Sequence, residues 1–149
     1  MTVYIGSDHG GIALKKAIID QLTAQGVTVC NVGTDTEASC DYPDYAFKVA
    51  GAVASGKAER GIVICRTGVG MSIAANKVNG VRCALCLNEE MARLCREHND
   101  ANCLALGAAN TDTDTALKIA QTFLTTDFAG GRHANRVEKI TAYEGSHER

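Results

Sequence analysis

Two hydrophobic periodicities alternate along the chain. Short apolar runs rich in Val and Ile, such as TVYIG and RGIVIC, have the pattern of buried β-strands. Between them, apolar residues recur every three or four positions, as in GIALKKAIIDQLTAQG, which indicates amphipathic helices. The pattern predicts strands at 2–6, 27–33, 60–65, 81–86 and 102–107. It predicts helices at 11–26, 41–56, 70–78, 88–98, 113–126 and 132–144.

This alternation predicts an α/β fold, in which a five-stranded parallel sheet is covered by helices on both faces in a three-layer α/β/α arrangement. The chain of 149 residues has no repeat or linker, so we expect one domain over 1–144 and a flexible C-terminal tail over 145–149. Ligands of such folds bind beyond the carboxyl ends of the strands. The segments to inspect are therefore SDHGG, GTDTEASCDY, CRTGVG, LNEE and GAANTD.

Composition narrows the classes of function. Apolar residues make up 46% of the chain, charged residues 21%, and the formal net charge is −2, which predicts no general attraction to nucleic acid or membranes. No apolar run approaches the roughly 20 residues of a membrane helix, and MTVYIGSDHG lacks the features of a signal peptide. With seven cysteines, an odd number, we expect reduced thiols and a cytoplasmic protein.

Metal and redox sites have little support in the sequence. Cys83 and Cys86 form a C-x-x-C on a predicted strand, where this spacing sends the two side chains to opposite faces. Four histidines without an H-x-x-x-H pattern, and no carboxylate cluster, give no metal-ligand set. We therefore expect neither a metal nor a cofactor.

The stretch ICRTGVGM joins a buried strand to a helix through a glycine-rich turn. Its glycines do not match the dinucleotide-binding fingerprint or a Walker A motif, but such a turn is a general cradle for anions. Cys65 ends the strand beside Arg66, in surroundings that favour a thiolate, so it is a candidate base or nucleophile. A plain turn and a buried structural cysteine are the alternatives.

Further polar residues lie near predicted strand and helix ends. Asp8 and His9 follow the first strand, where one of them could simply cap the helix. His98 ends the fourth helix, within the polar segment HNDAN. Arg132 and Arg136 share one helix face, which suits a phosphate group or a solvated basic surface. Together these residues fit a small phosphorylated substrate.

The motifs SDHGG…LK, DYPDYA, GxGxSIAANKVxGVR, EHNDAN and GGRHxxRVxKI together resemble the ribose-5-phosphate isomerase B family, which also includes galactose- and allose-6-phosphate isomerases. The resemblance runs from the first strand to the last helix. It implies an aldose–ketose isomerase that interconverts ribose 5-phosphate and ribulose 5-phosphate through a cis-enediolate, in the non-oxidative pentose phosphate pathway. It also implies a Rossmann-like fold, no metal, and a homodimer or dimer of dimers with the active site at the interface.

The resemblance also implies residue roles. Cys65 matches the catalytic base, Thr67 the hydroxyl that shuttles protons between oxygens, and His98 the histidine that opens the sugar ring. The residues matching substrate-binding positions are Asp8, His9, Tyr42 and Asn99, the anion hole formed by Arg66, Gly68, Val69 and Gly70, and the phosphate clamp of Arg132 and Arg136 contributed across the interface.

Two positions depart from the family pattern. The usual turn is Cys-Gly-Thr-Gly, whereas this chain has Arg66 at the second position. Many relatives have an arginine for phosphate binding where this chain has Ala109. Our hypothesis is that Arg66 partly replaces the missing charge, the alternative being a side chain that only reaches solvent.

Three other functions are weighed against this one. A hexose 6-phosphate isomerase shares the mechanism and differs in pocket length. A non-catalytic nucleotide- or flavin-binding module would not need Cys65, His98 and two arginines together. A thiol-redox protein predicts a resolving cysteine near Cys65, and none is evident in the sequence.

Overall fold

A computed structural model describes residues 1–147, which contain five strands and six helices. The strands are β1 (Thr2–Ser7), β2 (Thr28–Asn31), β3 (Arg60–Cys65), β4 (Cys83–Leu85) and β5 (Cys103–Gly107). The helices are α1 (Ile12–Ala24), α2 (Tyr42–Ala54), α3 (Val69–Ala75), α4 (Glu89–Asn99), α5 (Thr113–Thr125) and α6 (Arg132–Ser146).

The strands form one parallel sheet in the order β2-β1-β3-β5-β4, which confirms the predicted fold class. From β1 the chain first adds β2 on one side and then β3 on the other. The strand order therefore reverses between β1 and β3, and a crevice at their carboxyl ends is the usual place for a ligand in such sheets.

Helices cover both faces of the sheet, because successive strand residues point to opposite sides. Ile62 and Ile64 of β3 belong to the cluster under α1, α4 and α5, whereas Val63 and Cys65 belong to the cluster under α2 and α3. Residues on both sides are fully buried, which explains the continuous apolar runs of the central strands.

The two edge strands are shorter than predicted. β4 begins at Cys83, two residues after the predicted start at position 81, because the N–H of Arg82 is bonded outside the ladder to Asn102 Oδ1 at 2.8 Å. β2 ends at Asn31, whose side-chain oxygen accepts a hydrogen bond from the N–H of Gly33 at 3.0 Å. An edge strand pairs on one side only, so local side-chain bonds of this kind can end it early.

The last helix, α6, has no buried residue and lies outside the three layers. It packs on α4 and reaches the turn after α3, where Glu144 accepts a hydrogen bond from the N–H of Gly80 at 3.0 Å. It continues through Gly145 and Ser146, the first two residues of the predicted tail, while positions 148–149 of that tail lie outside the described residues. Within residues 1–147, no helix combines the length and apolarity that a membrane crossing requires.

Candidate active site

The turn after β3 forms a narrow cradle of backbone N–H groups with a thiol at its floor. Cys65 is 5% exposed, and its sulfur accepts a hydrogen bond from the N–H of Gly68 at 3.2 Å. The hydroxyl oxygen of Thr67 accepts a weaker hydrogen bond from the N–H of Val69 at 3.3 Å. The Gly68 N–H is thus directed at the sulfur of a cysteine that is almost completely enclosed.

Gly68 is required by the shape of this turn. Its φ is +78°, and a Cβ at this position would lie 2.6 Å from Leu85 Cδ1 and 2.9 Å from the carbonyl carbon of Leu106. A Cβ on Gly70 would lie 2.6 Å from Cζ of Tyr42. The phenol ring of Tyr42 therefore packs directly over the start of α3, at the mouth of the cradle.

The loop after β1 forms the opposite wall. Asp8 is 8% exposed, and its Oδ1 accepts a hydrogen bond from the N–H of Gly10 at 2.9 Å. A Cβ on Gly10 would lie 3.6 Å from the backbone nitrogen of Arg66. The two loops thus face each other at the point where the strand order reverses.

The segment before α2 closes the third side of the crevice. The ring nitrogen Nδ1 of His9 accepts a hydrogen bond from the N–H of Cys40 at 3.3 Å, and the Cys40 sulfur lies 3.7 Å from the same nitrogen. His9 is thereby tied to the chain that leads into Tyr42.

Arg66 projects from the rim of the cradle and is exposed. Its carbonyl oxygen accepts a hydrogen bond from the N–H of Ala109 at 2.8 Å. Arg66 is therefore bonded through its backbone to Ala109, the position at which the family resemblance leads us to expect an arginine. Arg66 makes no ion pair with a carboxylate of residues 1–147, which leaves its guanidinium group available to an anion.

The remaining predicted site residues lie at the other end of the sheet. α4 runs back from the carboxyl edge, so His98 and Asn99 come just before β5, whose first residue Cys103 pairs with Gly61 of β3. Cys65 lies four residues further along β3, about 13 Å away along the strand. His98 and Asn99 are therefore far from the cradle of their own chain.

Arg132 and Arg136 join His98 and Asn99 rather than the cradle. They lie in the first turns of α6, where the ring of His133 stacks on the ring of His98 with 4.2 Å between centroids. The structure thus sorts the predicted residues into two sets. A carboxyl-edge set contains Asp8, His9, Tyr42, Cys65, Arg66, Thr67, Gly68, Val69 and Gly70, and an amino-edge set contains His98, Asn99, Arg132 and Arg136.

A family model described as ribose/galactose isomerase matches residues 3–140. The chain belongs to the ribose/galactose isomerase family. Ribose-5-phosphate isomerase B of Escherichia coli (strain K12) is 46% identical over 142 residues, which is 95% of each chain.

Solved structures of family members match over the full chain. The structure of Clostridium thermocellum ribose-5-phosphate isomerase B has a TM-score of 0.96 at 55% identity and covers 98% of this chain and 99% of its own. That of Mycoplasma genitalium ribose-5-phosphate isomerase B with bound ribulose-5-phosphate has a TM-score of 0.95 at 42% identity, covering 98% of this chain and 97% of its own.

The other thiols of this family member do not form a redox site with Cys65. Cys83 packs in the cluster under α2 and α3, whereas Cys86 packs in the opposite cluster, which confirms that the C-x-x-C residues point apart. The Cys86 sulfur instead lies 3.9 Å from that of Cys95, on the face of the sheet opposite to Cys65. The hydrogen bond with Cys95, together with burial, raises the pKa of the Cys86 thiol. Residues 1–147 contain no group of three or more His, Cys, Asp or Glu placed to hold a metal ion.

Lys15 is a residue near the crevice that the sequence pattern did not single out. Its side chain is 1% exposed, and its Nζ donates to Asn31 Oδ1 at 2.9 Å, the Thr34 carbonyl at 2.6 Å and Asp35 Oδ1 at 2.7 Å. All three protons of the ammonium group are thereby used. Because Thr34 also donates its N–H to the carbonyl of Ser7 at 2.7 Å, the lysine fixes the chain directly before Asp8.

Proposed function

We propose that this member of the family interconverts ribose 5-phosphate and ribulose 5-phosphate. The observation that carries the proposal is the Cys65 thiol at the floor of the N–H cradle, bonded to Gly68 and placed where the strand order reverses. Relatives named ribose-5-phosphate isomerase B match nearly the whole chain, and one was solved with ribulose-5-phosphate bound.

The proton transfer follows from this placement. The Cys65 thiolate removes the proton from C2 of the open-chain aldose, and the electron pair of the broken C–H bond forms the C1–C2 double bond of an enediolate. Negative charge then develops on O1, where N–H groups of the turn from Arg66 to Gly70 can donate to it. A preorganised donor at a developing oxyanion typically contributes about 10²- to 10³-fold in rate.

The second half of the reaction returns the proton to the neighbouring carbon. Thr67 accepts a hydrogen bond from the N–H of Val69, so its own O–H proton is free to exchange between O2 and O1 of the enediolate. Cys65 then gives its proton to C1, and C2 becomes the carbonyl carbon of the ketose. Only protons move between atoms of one sugar, so the reaction as proposed needs no redox cofactor.

We infer that a second copy of the chain completes each site in a homodimer. One chain holds the base and the cradle at the carboxyl edge, and holds His98, Asn99, Arg132 and Arg136 at the amino edge. The two sets fit one reaction if the amino edge of one chain faces the carboxyl edge of its partner, which would bring a phosphate clamp and a ring-opening histidine to Cys65.

Exposed apolar side chains support such an assembly. Val69 and Ile73 of α3 are 48% and 57% exposed, and Ile140 and Tyr143 of α6 are 47% and 64% exposed. These residues lie next to the cradle and on the helix that presents the arginines. Exposed apolar side chains that cluster on helix surfaces in this way are typical of protein–protein contacts.

The proposed location is the cytoplasm. All seven cysteines are free thiols, including the adjacent pair Cys86 and Cys95, as is usual where glutathione and thioredoxin keep thiols reduced.

A coupled isomerase assay on ribose 5-phosphate and on allose 6-phosphate tests the proposal. We expect turnover of the pentose phosphate, and a loss of at least about 10²-fold in kcat for Cys65→Ala, because the variant lacks the base. Cys30→Ala, which alters a thiol on the edge strand β2, is the matched control and should retain full activity.

The other possible results of this assay would each contradict a part of the proposal. Full activity of Cys65→Ala would remove the proposed base. Preference for allose 6-phosphate would assign the chain to the hexose 6-phosphate isomerases of the family. Inactivity of the unaltered protein on both sugars would overturn the proposed reaction.

A further inference from the structure

A stacked pair of imidazole rings joins the end of α4 to the start of α6. The rings of His98 and His133 lie 4.2 Å apart between centroids and are 15° from parallel. Both side chains are half-buried. His98 was predicted as a site residue, whereas nothing in the sequence pattern assigned a role to His133.

The two rings lie at opposite ends of their helices. His98 is in the last turn of α4, and His133 is the second residue of α6. The C-terminal end of a helix carries partial negative charge and favours a cation, and the N-terminal end carries partial positive charge and disfavours one. The N-terminal end of α6 therefore disfavours a proton on His133.

Neighbouring charged groups add to this effect. Partial loss of water contact and then the positive charges of His98, Arg132 and Arg136 lower the pKa of His133, opposed only in part by Glu97. Glu97 is itself held by Arg93 at 2.9 Å, and Asp100 is held by Arg96 at 2.9 Å. The charged groups beside His133 are thus Glu97 from the end of α4 and Arg132 and Arg136 from α6, while Arg93 and Arg96 hold the carboxylates at the end of α4.

We propose that His133 is a positioning residue for His98: it holds the His98 ring in one orientation by stacking and, being neutral, places no positive charge against it. This inference rests on the proposed function, because it assigns His98 to the step that opens the sugar ring. Two protonated imidazoles at this separation would repel each other, so a neutral His133 keeps that repulsion away from the His98 ring.

Opening of the furanose ring requires a proton donor beside the ring oxygen. The bond between C1 and the ring oxygen breaks, its electron pair stays on the ring oxygen, and that oxygen takes a proton. The C1 hydroxyl loses its proton and becomes the aldehyde. An imidazolium at position 98, held by a neutral partner, can donate the first of these protons.

The neutrality of His133 is tested on the unaltered protein by NMR titration of its four histidines, each assigned by single substitution. We expect His133 to titrate below the ordinary histidine value of about 6.5. In His98→Phe, which keeps an aromatic ring but removes the positive charge, the midpoint of His133 should rise by several tenths of a unit or more. His147, which stacks on Tyr143 at the other end of α6, is the internal control and should not move.

Two results of the titration would overturn the proposal. One is a His133 midpoint at or above the ordinary value, since His133 would then place a positive charge against His98. The other is an unchanged His133 midpoint in His98→Phe. The titration does not depend on isomerase activity, so its result stands even if the protein proves inactive on ribose 5-phosphate.

Kinetics of substitutions at position 133 test the positioning role. His133→Phe preserves stacking and neutrality and should keep kcat for ribose 5-phosphate within about threefold. His133→Ala should lower kcat about tenfold with little change in KM, and His133→Lys, which places a fixed charge against His98, should lower it further. Equal losses in the Phe and Ala variants, or a loss confined to KM through the adjacent Arg132, would contradict positioning by the ring.

Discussion

At the scale of single residues, the crevice depends on backbone that approaches backbone too closely for a side chain. At Gly68 a positive φ and two heavy atoms within 3 Å of a Cβ coincide, and the same N–H bonds to the Cys65 sulfur. One position thus determines the turn, its packing on β5 and the surroundings of the thiol.

Gly68→Ala should therefore lower both stability and activity. We expect a loss of about 2–4 kcal/mol in the free energy of unfolding, from backbone strain plus overpacking, and a loss of at least tenfold in kcat. Gly26→Ala is a matched control, because Gly26 has a φ of +81° and nothing within 4 Å of an added Cβ. Both variants carry the backbone strain of a positive φ, but only Gly68→Ala also carries the cost of overpacking. The difference between their free energies of urea unfolding therefore measures the overpacking. Equal losses in the two variants would show that the close contacts seen at Gly68 relax freely.

The proposed role of Arg66 is to bind substrate rather than to support the fold, because its side chain is exposed and its backbone carbonyl bonds to Ala109. We expect Arg66→Gly to raise KM for ribose 5-phosphate about tenfold while kcat changes little, since a hydrogen bond to a charged group contributes about 1.5–3 kcal/mol. Arg66→Lys keeps the charge and should raise KM by less. An unchanged KM in Arg66→Gly would mean that the side chain only reaches solvent.

At the scale of elements, Lys15 links α1 to the chain that leaves β2. Its Nζ holds Asn31, Thr34 and Asp35, and through them the segment that continues to the loop over His9. The hydrogen bonds from Lys15 and then Asn31 keep the pKa of Asp35 below its ordinary 3.8. Since the folded-state pKa is lowered, the contribution of this contact to stability is present above that value and is lost only as the pH falls through the lowered one.

Lys15→Met fills the same space without the ammonium group. We expect a loss of about 2–3 kcal/mol in stability and a rise of several-fold in KM, because the loop that positions His9 is released. Lys16→Met is the matched control, since Lys16 is 75% exposed and pairs only with Asp20 on the surface of the same helix. Thermal unfolding measures the loss of stability, and steady-state kinetics measure the change in KM. A lower melting temperature with unchanged KM would restrict Lys15 to a structural role.

The strands and helices could be predicted because the two kinds of element differ in the spacing of their apolar residues and each ends in the sequence at a recognisable break in that spacing. The three central strands are buried on both faces, and their apolar runs are unambiguous. The edge strands were predicted too long, because Asn31 and Asn102 end them through side-chain bonds that leave no trace in periodicity.

The site could be predicted only where its residues follow one another in the chain. The cradle from Cys65 to Gly70 is continuous in sequence and can be found there. Lys15 looks like a solvent-facing residue of an amphipathic helix, and the contact of His98 with His133 arises only when α4 and α6 meet. Such pairings depend on tertiary packing, which a single sequence does not display.

At the scale of the whole molecule, the proposed site is divided between two chains. Mixing Cys65→Ala with His98→Ala, each inactive alone, should therefore restore activity. Random pairing of equal amounts makes half of the dimers mixed, with one intact site of two, so we expect about one quarter of full activity. The measurement is isomerase activity after the variants are refolded together. No activity in the mixture, with mixed dimers verified by mass spectrometry, would place both residues in the same site of one chain.

Within the described part of the chain, α6 has no buried residue, and this affects how fast its backbone amide hydrogens exchange with solvent. An isolated helix of 15 residues is marginally stable in water, and within one chain α6 is held mainly by its contacts with α4 and with the turn after α3. On the proposed assembly, most of its protection comes from the other chain. Deuterium uptake by the amides of 132–146 should then rise steeply as the protein is diluted, while uptake by the central strands stays slow. Exchange in the helix that carries the proposed phosphate clamp would thus measure, amide by amide, how much of the protein is assembled.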